Sequence, residues 1–240
     1  MFFSIIVLFF SYFRKDDLPS QKDILNDLYK NPIQKETNKD PFKIKQNNIT
    51  YSINPIYDYE LYGLVVSHHD SDYWFDYYHN KWSDFINIKD LCVIWGKNIE
   101  TGVYEKMRFK SGSFTCYPSF LENIDPSWYS KFDWSFGSNN HLLSENDKIR
   151  KIIKSVGTGD QIYFKGYLAE YSHDKGFSRG TSTTREDVEN NSCETIYITD
   201  FKIFKKANFY WNLAFSVSKY LAISSIVFLT IIFFFAKDKF

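Results

Sequence analysis

The sequence predicts a β-rich α+β domain, a small partly open barrel or sandwich with one packed helix. A C-terminal transmembrane helix and a short N-terminal hydrophobic segment are added to it. Three observations predict this class. Several short runs rich in Tyr, Val, Ile and Phe have strand character and are bounded by turn residues. One internal segment carries helical apolar spacing with both a start and a stop signal. The last apolar run is uncharged and closes with lysines. Composition agrees, because 44% hydrophobic residues suffice for a sizeable core. Lys+Arg and Asp+Glu are both 29, which argues against a broadly basic nucleic-acid binder. Cysteines number 3, too few for a disulfide scaffold.

Residues 1–13 (MFFSIIVLFFSYF) form a hydrophobic anchor or signal-like segment. No Lys or Arg precedes it and no small-residue cleavage site follows, so an uncleaved anchor is preferred. Residues 14–48 read as a polar linker with one short helix. Ser20 is its N-cap, Ile24, Leu25 and Leu28 make its stripe, and Pro32 stops it. The β-rich globular domain occupies 49–204. Its strands are predicted at 57–67, 90–95, 102–109, 161–171 and 195–204. The internal helix starts at a capping-box-like Ser144-Glu-Asn-Asp147. It carries Ile149, Ile152, Ile153 and Val156 on one face and ends at Gly157. Residues 207–236 are an interfacial stretch with Phe209, Tyr210 and Trp211, followed by the membrane helix. As a helix, 220–236 covers roughly 26 Å at 1.5 Å per residue, close to the roughly 30 Å of a hydrocarbon core. The basic residues next to the membrane lie mainly on the domain side. A long domain translocates largely regardless of charge, so orientation stays open, with an extracytoplasmic domain slightly preferred.

Several phrases look familiar: DYELYGLVVSHHD (58–70), DLCVIWG (90–96), FTCY (114–117), SNNHLL (138–143), GDQIYFKGYLAEY (159–171) and STTREDVENNSCE (182–194). Together they make the chain resemble a family of uncharacterised bacterial membrane-anchored proteins, over most of 57–204. The resemblance implies an integral protein of the bacterial inner membrane. It carries over no activity and no catalytic residue.

Four groups are candidates for chemistry. Cys92 lies in an apolar run and reads as a small core residue. Cys116 and Cys193 lie in more polar settings and are the disulfide candidates, closing a loop of about 77 residues. A catalytic cysteine is not expected at either position. His68, His69 and His79, with Asp70, Asp72 and Asp76, are the densest set of metal-ligand types. Adjacent histidines on a strand point to opposite faces, so an exposed aromatic loop is favoured over a metal site. Asn139-Asn140-His141 precedes the helix. An unperturbed imidazole pKa near neutrality suits His141 to act as an acid or base, but such a string more often fixes a loop. Arg185 and Asp187 lie in a long polar segment, where Arg185 suits a carboxylate or phosphate and equally suits Asp187. The candidate catalytic set is therefore His141, Arg185 and Asp187 meeting at one end of the barrel.

No phosphate-binding glycine loop, zinc-protease helix motif or nucleophile elbow is present. No cofactor is expected. The favoured function is a membrane-anchored β-domain that binds or organises a partner at the membrane, such as another membrane or envelope protein. The alternative is a membrane-bound enzyme using His141, Arg185 and Asp187. A nucleic-acid partner is not expected, because the globular domain carries more acidic than basic residues.

Overall fold

The structure is a computed structural model, and it describes residues 2–71, 76–112, 115–184 and 193–236. The chain divides into two compact units, Met1–Asp17 with Ala207–Phe240, and Leu18–Lys206. The elements in chain order are α1 (Phe2–Arg14), β1 (Ile33–Glu36), β2 (Phe42–Gln46), β3 (Ile49–Asp70), α2 (Tyr77–Trp82), β4 (Asn87–Ile94) and α3 (Gly96–Glu100). Then come β5 (Met107–Ser111), β6 (Cys116–Phe120), β7 (Gly137–Leu143), α4 (Asp147–Lys154), β8 (Gln161–His173), β9 (Phe177–Arg179), β10 (Cys193–Lys205) and α5 (Phe209–Ala236).

In the larger unit five strands close into a ring in the order β3-β4-β7-β10-β8 and back to β3. Every pair is antiparallel except β7 with β10, which run parallel. A parallel pair needs a crossover connection, and α4 followed by β8 provides it. A five-stranded, partly closed barrel with a helix between its third and fourth strands is the plan of an OB-type barrel. The prediction of a small partly open barrel with one packed helix holds.

Alternation sorts each strand into an inner and an outer face. Leu91 and Val93 of β4, Leu142 of β7, Ile162 and Phe164 of β8, and Ile196 and Ile198 of β10 pack in one buried cluster inside the ring. Ile153 and Val156 of the α4 segment join them. Asn146 caps α4 by accepting from the backbone N–H of Lys148 and Ile149. The start therefore falls two residues beyond the predicted Ser144, whose hydroxyl accepts from the Asn146 N–H instead. Lys89, 2% exposed, donates to the carbonyls of Lys154 and Val156 and satisfies the C-terminal end of α4. Gly166 marks the tightest approach within the ring, because a Cβ there would lie 2.0 Å from the Tyr197 carbonyl oxygen on β10.

Three expectations change. Residues 18–48 are part of the larger unit rather than a linker. In place of a helix they form two 3₁₀ turns that bury Ile24 and Leu28, followed by β1 and β2, which both pair with β3. The apolar residues that suggested a helical stripe are used singly, as plugs. The predicted strand at 102–109 is a 3₁₀ turn (Val103–Lys106) that leads into β5. Residues 137–143, read as a loop, are the central strand β7. Its polar run hides a strand because Asn139 and His141 lie on an outer face that is itself covered.

In the smaller unit α5 runs 28 residues, and within Phe209–Phe235 an 18-residue stretch has mean hydropathy 2.0. The helix is long and apolar enough to cross a membrane, and only 11% of that stretch is buried within the structure. The core helix of a globular domain would be mostly buried. α1 packs on α5 through Tyr12 against Phe215, and Asn212 donates to the Lys15 carbonyl.

Candidate functional site

Register places His141 of the candidate set on the outer face of β4, β7 and β10. Across these strands Asp90 lies opposite His141, and His141 opposite Thr195. One step along, Cys92, Asn139 and Cys193 share a second row. Two segments cover this face. The β3–β4 connection brings His79 of α2 over Asn87. Residues 180–182 run beside the start of β10, where the Gly180 carbonyl accepts from the Thr195 hydroxyl and the Thr181 hydroxyl accepts from the Thr195 N–H. β9 thereby carries Arg179 to His141.

A continuous line of hydrogen bonds crosses the face. His69 Nε2 and His79 Nδ1 meet Asp76 Oδ2 at 2.8 and 2.7 Å. Asn87 Nδ2 lies 3.0 Å from both His79 Nε2 and Asp90 Oδ1. Asp90 Oδ1 is 2.6 Å from His141 Nδ1, and His141 Nε2 is 2.9 Å from Arg179 Nη1. Asp76, His79, Asn87, Asp90 and His141 are all buried. The chemistry of the donors sets the direction of each bond. Arg179 can only donate, so His141 Nε2 accepts and its proton sits on Nδ1, facing Asp90. The Asn87 amide has two hydrogens and faces two acceptors, Asp90 and His79. The His79 proton therefore sits on Nδ1, facing Asp76.

These contacts shift the titrations. Burial works against the charge on Asp76, but hydrogen bonds from His69 and His79 outweigh it and hold the carboxyl low. Burial likewise opposes ionisation of Asp90, and His141 outweighs it. Burial also opposes the His141 imidazolium, while Asp90 pulls the ring up to about 9. The Arg179 contact requires the neutral ring, so the two effects conflict. With Arg179 in place its positive charge lowers the ring, and Asp90 outweighs it. Asp84 is raised by burial, partly offset by the Tyr171 hydroxyl donating at 2.7 Å.

His69, Asp76 and His79 form the metal-type group, with ligand atoms all within 4.8 Å of one another. Adjacent strand positions point oppositely, and His68 stands apart with its Nδ1 3.9 Å from Asp70. Asp76, which precedes α2, supplies the partner that strand geometry alone denied to His69. A metal ion would need His79 Nδ1 without its proton, whereas Asn87 holds that proton in place. The trio is a carboxylate bridging two imidazole donors.

The disulfide expectation is corrected. Cys92 pairs with Cys116, their Cα atoms 5.9 Å apart, inside a buried cluster with Leu64, Val66 and Ile94. Cys193 stands as a thiol. It sits two strands from Cys92 with Asn139 between them, about 9–10 Å away at the usual strand spacing. Asn139 Nδ2 donates to its sulfur at 3.6 Å. The neighbouring His141 ring outweighs burial and holds the thiol below its ordinary pKa.

Of the predicted catalytic set, His141 lies at the centre of this face. Arg185 and Asp187 lie outside the described residues, as does Asp72. Sequence reasoning missed Asp90, Asn87, Arg179 and the role of Cys193. Asp90 stands two residues before Cys92 in an apolar run, and that break in the pattern was the available signal. Comparison with protein-family models, with curated proteins and with solved structures returns no match.

Proposed function

We propose that this chain is an integral membrane protein whose barrel domain engages a polar ligand or partner at the covered face of β4, β7 and β10. The observation that carries this reading is the buried line from Asp76 to Arg179. Buried ionisable groups are costly even when paired, and apolar residues of similar volume would serve a barrel at least as well. Asp90 Oδ2 and Asp84 Oδ1 are buried without a hydrogen-bond partner among the described residues, which adds to that cost. A fold does not need such a cluster, and working sites gather them. By fold analogy only, OB-type barrels bind ligands on the face of their second and third strands, here β4 and β7.

The Cys92–Cys116 bond supports an oxidising compartment, so the domain is proposed to lie outside the cytoplasm, held by α5. The resemblance to membrane-anchored bacterial proteins points the same way on anchoring. The partner is proposed to be a component of the membrane or envelope.

Two measurements test this. In intact cells a membrane-impermeant maleimide labels Cys193 without lysis. Labelling only after lysis would put the domain inside. A photocrosslinking residue at Ser178, exposed on β9 beside the covered face, gives a discrete adduct in native membranes. The same residue at Lys148, exposed on α4, gives none. Identical products from both positions would remove the assignment of this face.

A further inference from the structure

We infer that the cavity between α2, the start of β4 and α4 binds a saccharide bearing a carboxylate, with sugar hydroxyls at its buried floor and the carboxylate at its basic mouth. The assignment rests on the reading above, because His79 and Asn87 belong both to the covered line and to this cavity.

The cavity holds about 470 Å³ and opens to solvent, within the roughly 300–1,000 Å³ of small-molecule sites. Such sites are mostly apolar, with a few polar groups that fix orientation. Here the balance is reversed, and of the side chains lining the cavity only Phe85 and Ile88 are apolar. A hydrophobic occupant would strip water from the polar groups and return no hydrogen bonds. The occupant is therefore hydrophilic.

Burial orders the lining into a floor and a mouth. Asp84 and Asn87, at the floor, are 1% and 4% exposed. Asp84 Oδ2 accepts from the Tyr171 hydroxyl, and the Asn87 amide nitrogen serves His79 and Asp90. The other oxygen of each side chain, Oδ1, has no hydrogen-bond partner among the described residues. Two buried acceptors without donors are costly, and a ligand rich in hydroxyls supplies donors. Asn47 and Asn80 stand exposed at the mouth, where their amides both donate and accept, as hydroxyls do. Phe85, half-buried on the wall, offers apolar surface to the C–H side of a sugar ring.

The charge of the ligand follows from α4. Arg150 and Lys154 lie one turn apart on this helix and both line the cavity. The Ser144, Ile86 and Phe85 carbonyls accept from the Arg150 guanidinium at 2.7, 3.3 and 3.3 Å, which fixes the position of its charge. Two cations at the mouth repel amines and polyamines and attract a carboxylate. An anion has only acceptor oxygens, so the acceptors of the floor exclude it from the deep end. The anionic group stays at the mouth and the neutral hydroxyls enter.

The test uses the full chain in an amine-oxide detergent, which carries no sugar headgroup. D-Glucuronate, D-glucose, L-alanine and inorganic phosphate are the probes in calorimetric titrations. Glucuronate is expected to saturate one site, and glucose to bind about tenfold more weakly, as loss of a charge-assisted hydrogen bond requires. Lys154→Gln weakens glucuronate alone, by about threefold. Asp84→Asn leaves one acceptor oxygen, which Tyr171 occupies, and weakens both sugars equally, by about tenfold. Asn80→Trp closes the mouth and abolishes binding of both. An unchanged melting temperature reports that each variant is folded. If Asp84→Asn fails to fold, the variants at the exposed Lys154 and Asn80 decide. No saturation by either sugar up to about 10 mM would overturn the assignment. Phosphate binding as tightly as glucuronate, with Asp84→Asn without effect, would reduce the site to an anion spot and overturn it. Tighter binding of alanine would put an amino acid in place of the sugar and overturn it as well. A discrete Ser178 crosslink without sugar binding would leave the covered face standing and remove only the saccharide. Absence of both would remove the reading on which it rests.

Discussion

Removing the Cys92–Cys116 bond tests both the connectivity and its contribution to the barrel. The two cysteines are 24 positions apart. In the chain-entropy model a loop of that size restricts the unfolded chain by about 3.4 kcal/mol at 25 °C. For a unit the size of Leu18–Lys206, each kcal/mol moves the melting temperature by roughly 2–4 °C, so reduction lowers it by roughly 7–14 °C. The bond closes β6 onto β4, beside the site-bearing strand, within a cluster that also holds Ile99 and Tyr104. The loss is therefore felt at the sheet rather than in a peripheral loop. The assay is thermal denaturation followed by near-UV circular dichroism, with and without dithiothreitol. Non-reducing peptide mapping identifies the bonded pair. A mapped Cys116–Cys193 peptide would refute the connectivity. An unchanged melting temperature after verified reduction would refute the energetic argument, because the unfolded chain would then gain no freedom.

Gly166→Ala forces a methyl group to 2.0 Å from the Tyr197 carbonyl oxygen, which is backbone and cannot rotate away. The β8–β10 pair must part, and urea denaturation should show a loss of at least about 3 kcal/mol. Loss below about 1 kcal/mol would mean that the strands separate easily there. Asp84→Asn keeps the Tyr171 hydrogen bond without a buried charge. Because burial raises Asp84, this change leaves stability at pH 7 equal or up to about 1 kcal/mol higher. A clear loss would show that the carboxylate is needed charged. Asp76 and Asp90 are held below the usual carboxylate range, so their stabilisation is present above about pH 4 and is lost as pH falls through the folded-state values. The acid limb of a pH–melting profile should therefore flatten in Asp90→Asn, and an unchanged limb would exclude that contribution. Truncation after Lys206 together with removal of residues 1–13 takes away both apolar helices, and the remaining chain should be released by alkaline carbonate washing while the full chain stays in the membrane pellet.

The sequence by itself determined what is local. Aromatic and β-branched runs bounded by turn residues gave β3, β4 and β8, period-two alternation gave β10, and helical spacing after a polar cap gave α4, because these are properties of short segments. The uncharged run before the terminal lysines gave α5 for the same reason. Tertiary structure decided what depends on pairing. The run SNNHLL became a strand because its polar face is buried, with Arg179 of β9 on His141, a cover that no local pattern records. Cys116 bonds Cys92 because β6 folds back over β4, while Cys193 is set two strands away by the parallel β7–β10 pair. His141 was legible as a candidate from its chemistry alone. Its hydrogen-bond partners Asp90 and Arg179 come from β4 and β9, far from it in the chain. Only the pairing that sets β4 beside β7 and brings β9 over them puts these groups within reach.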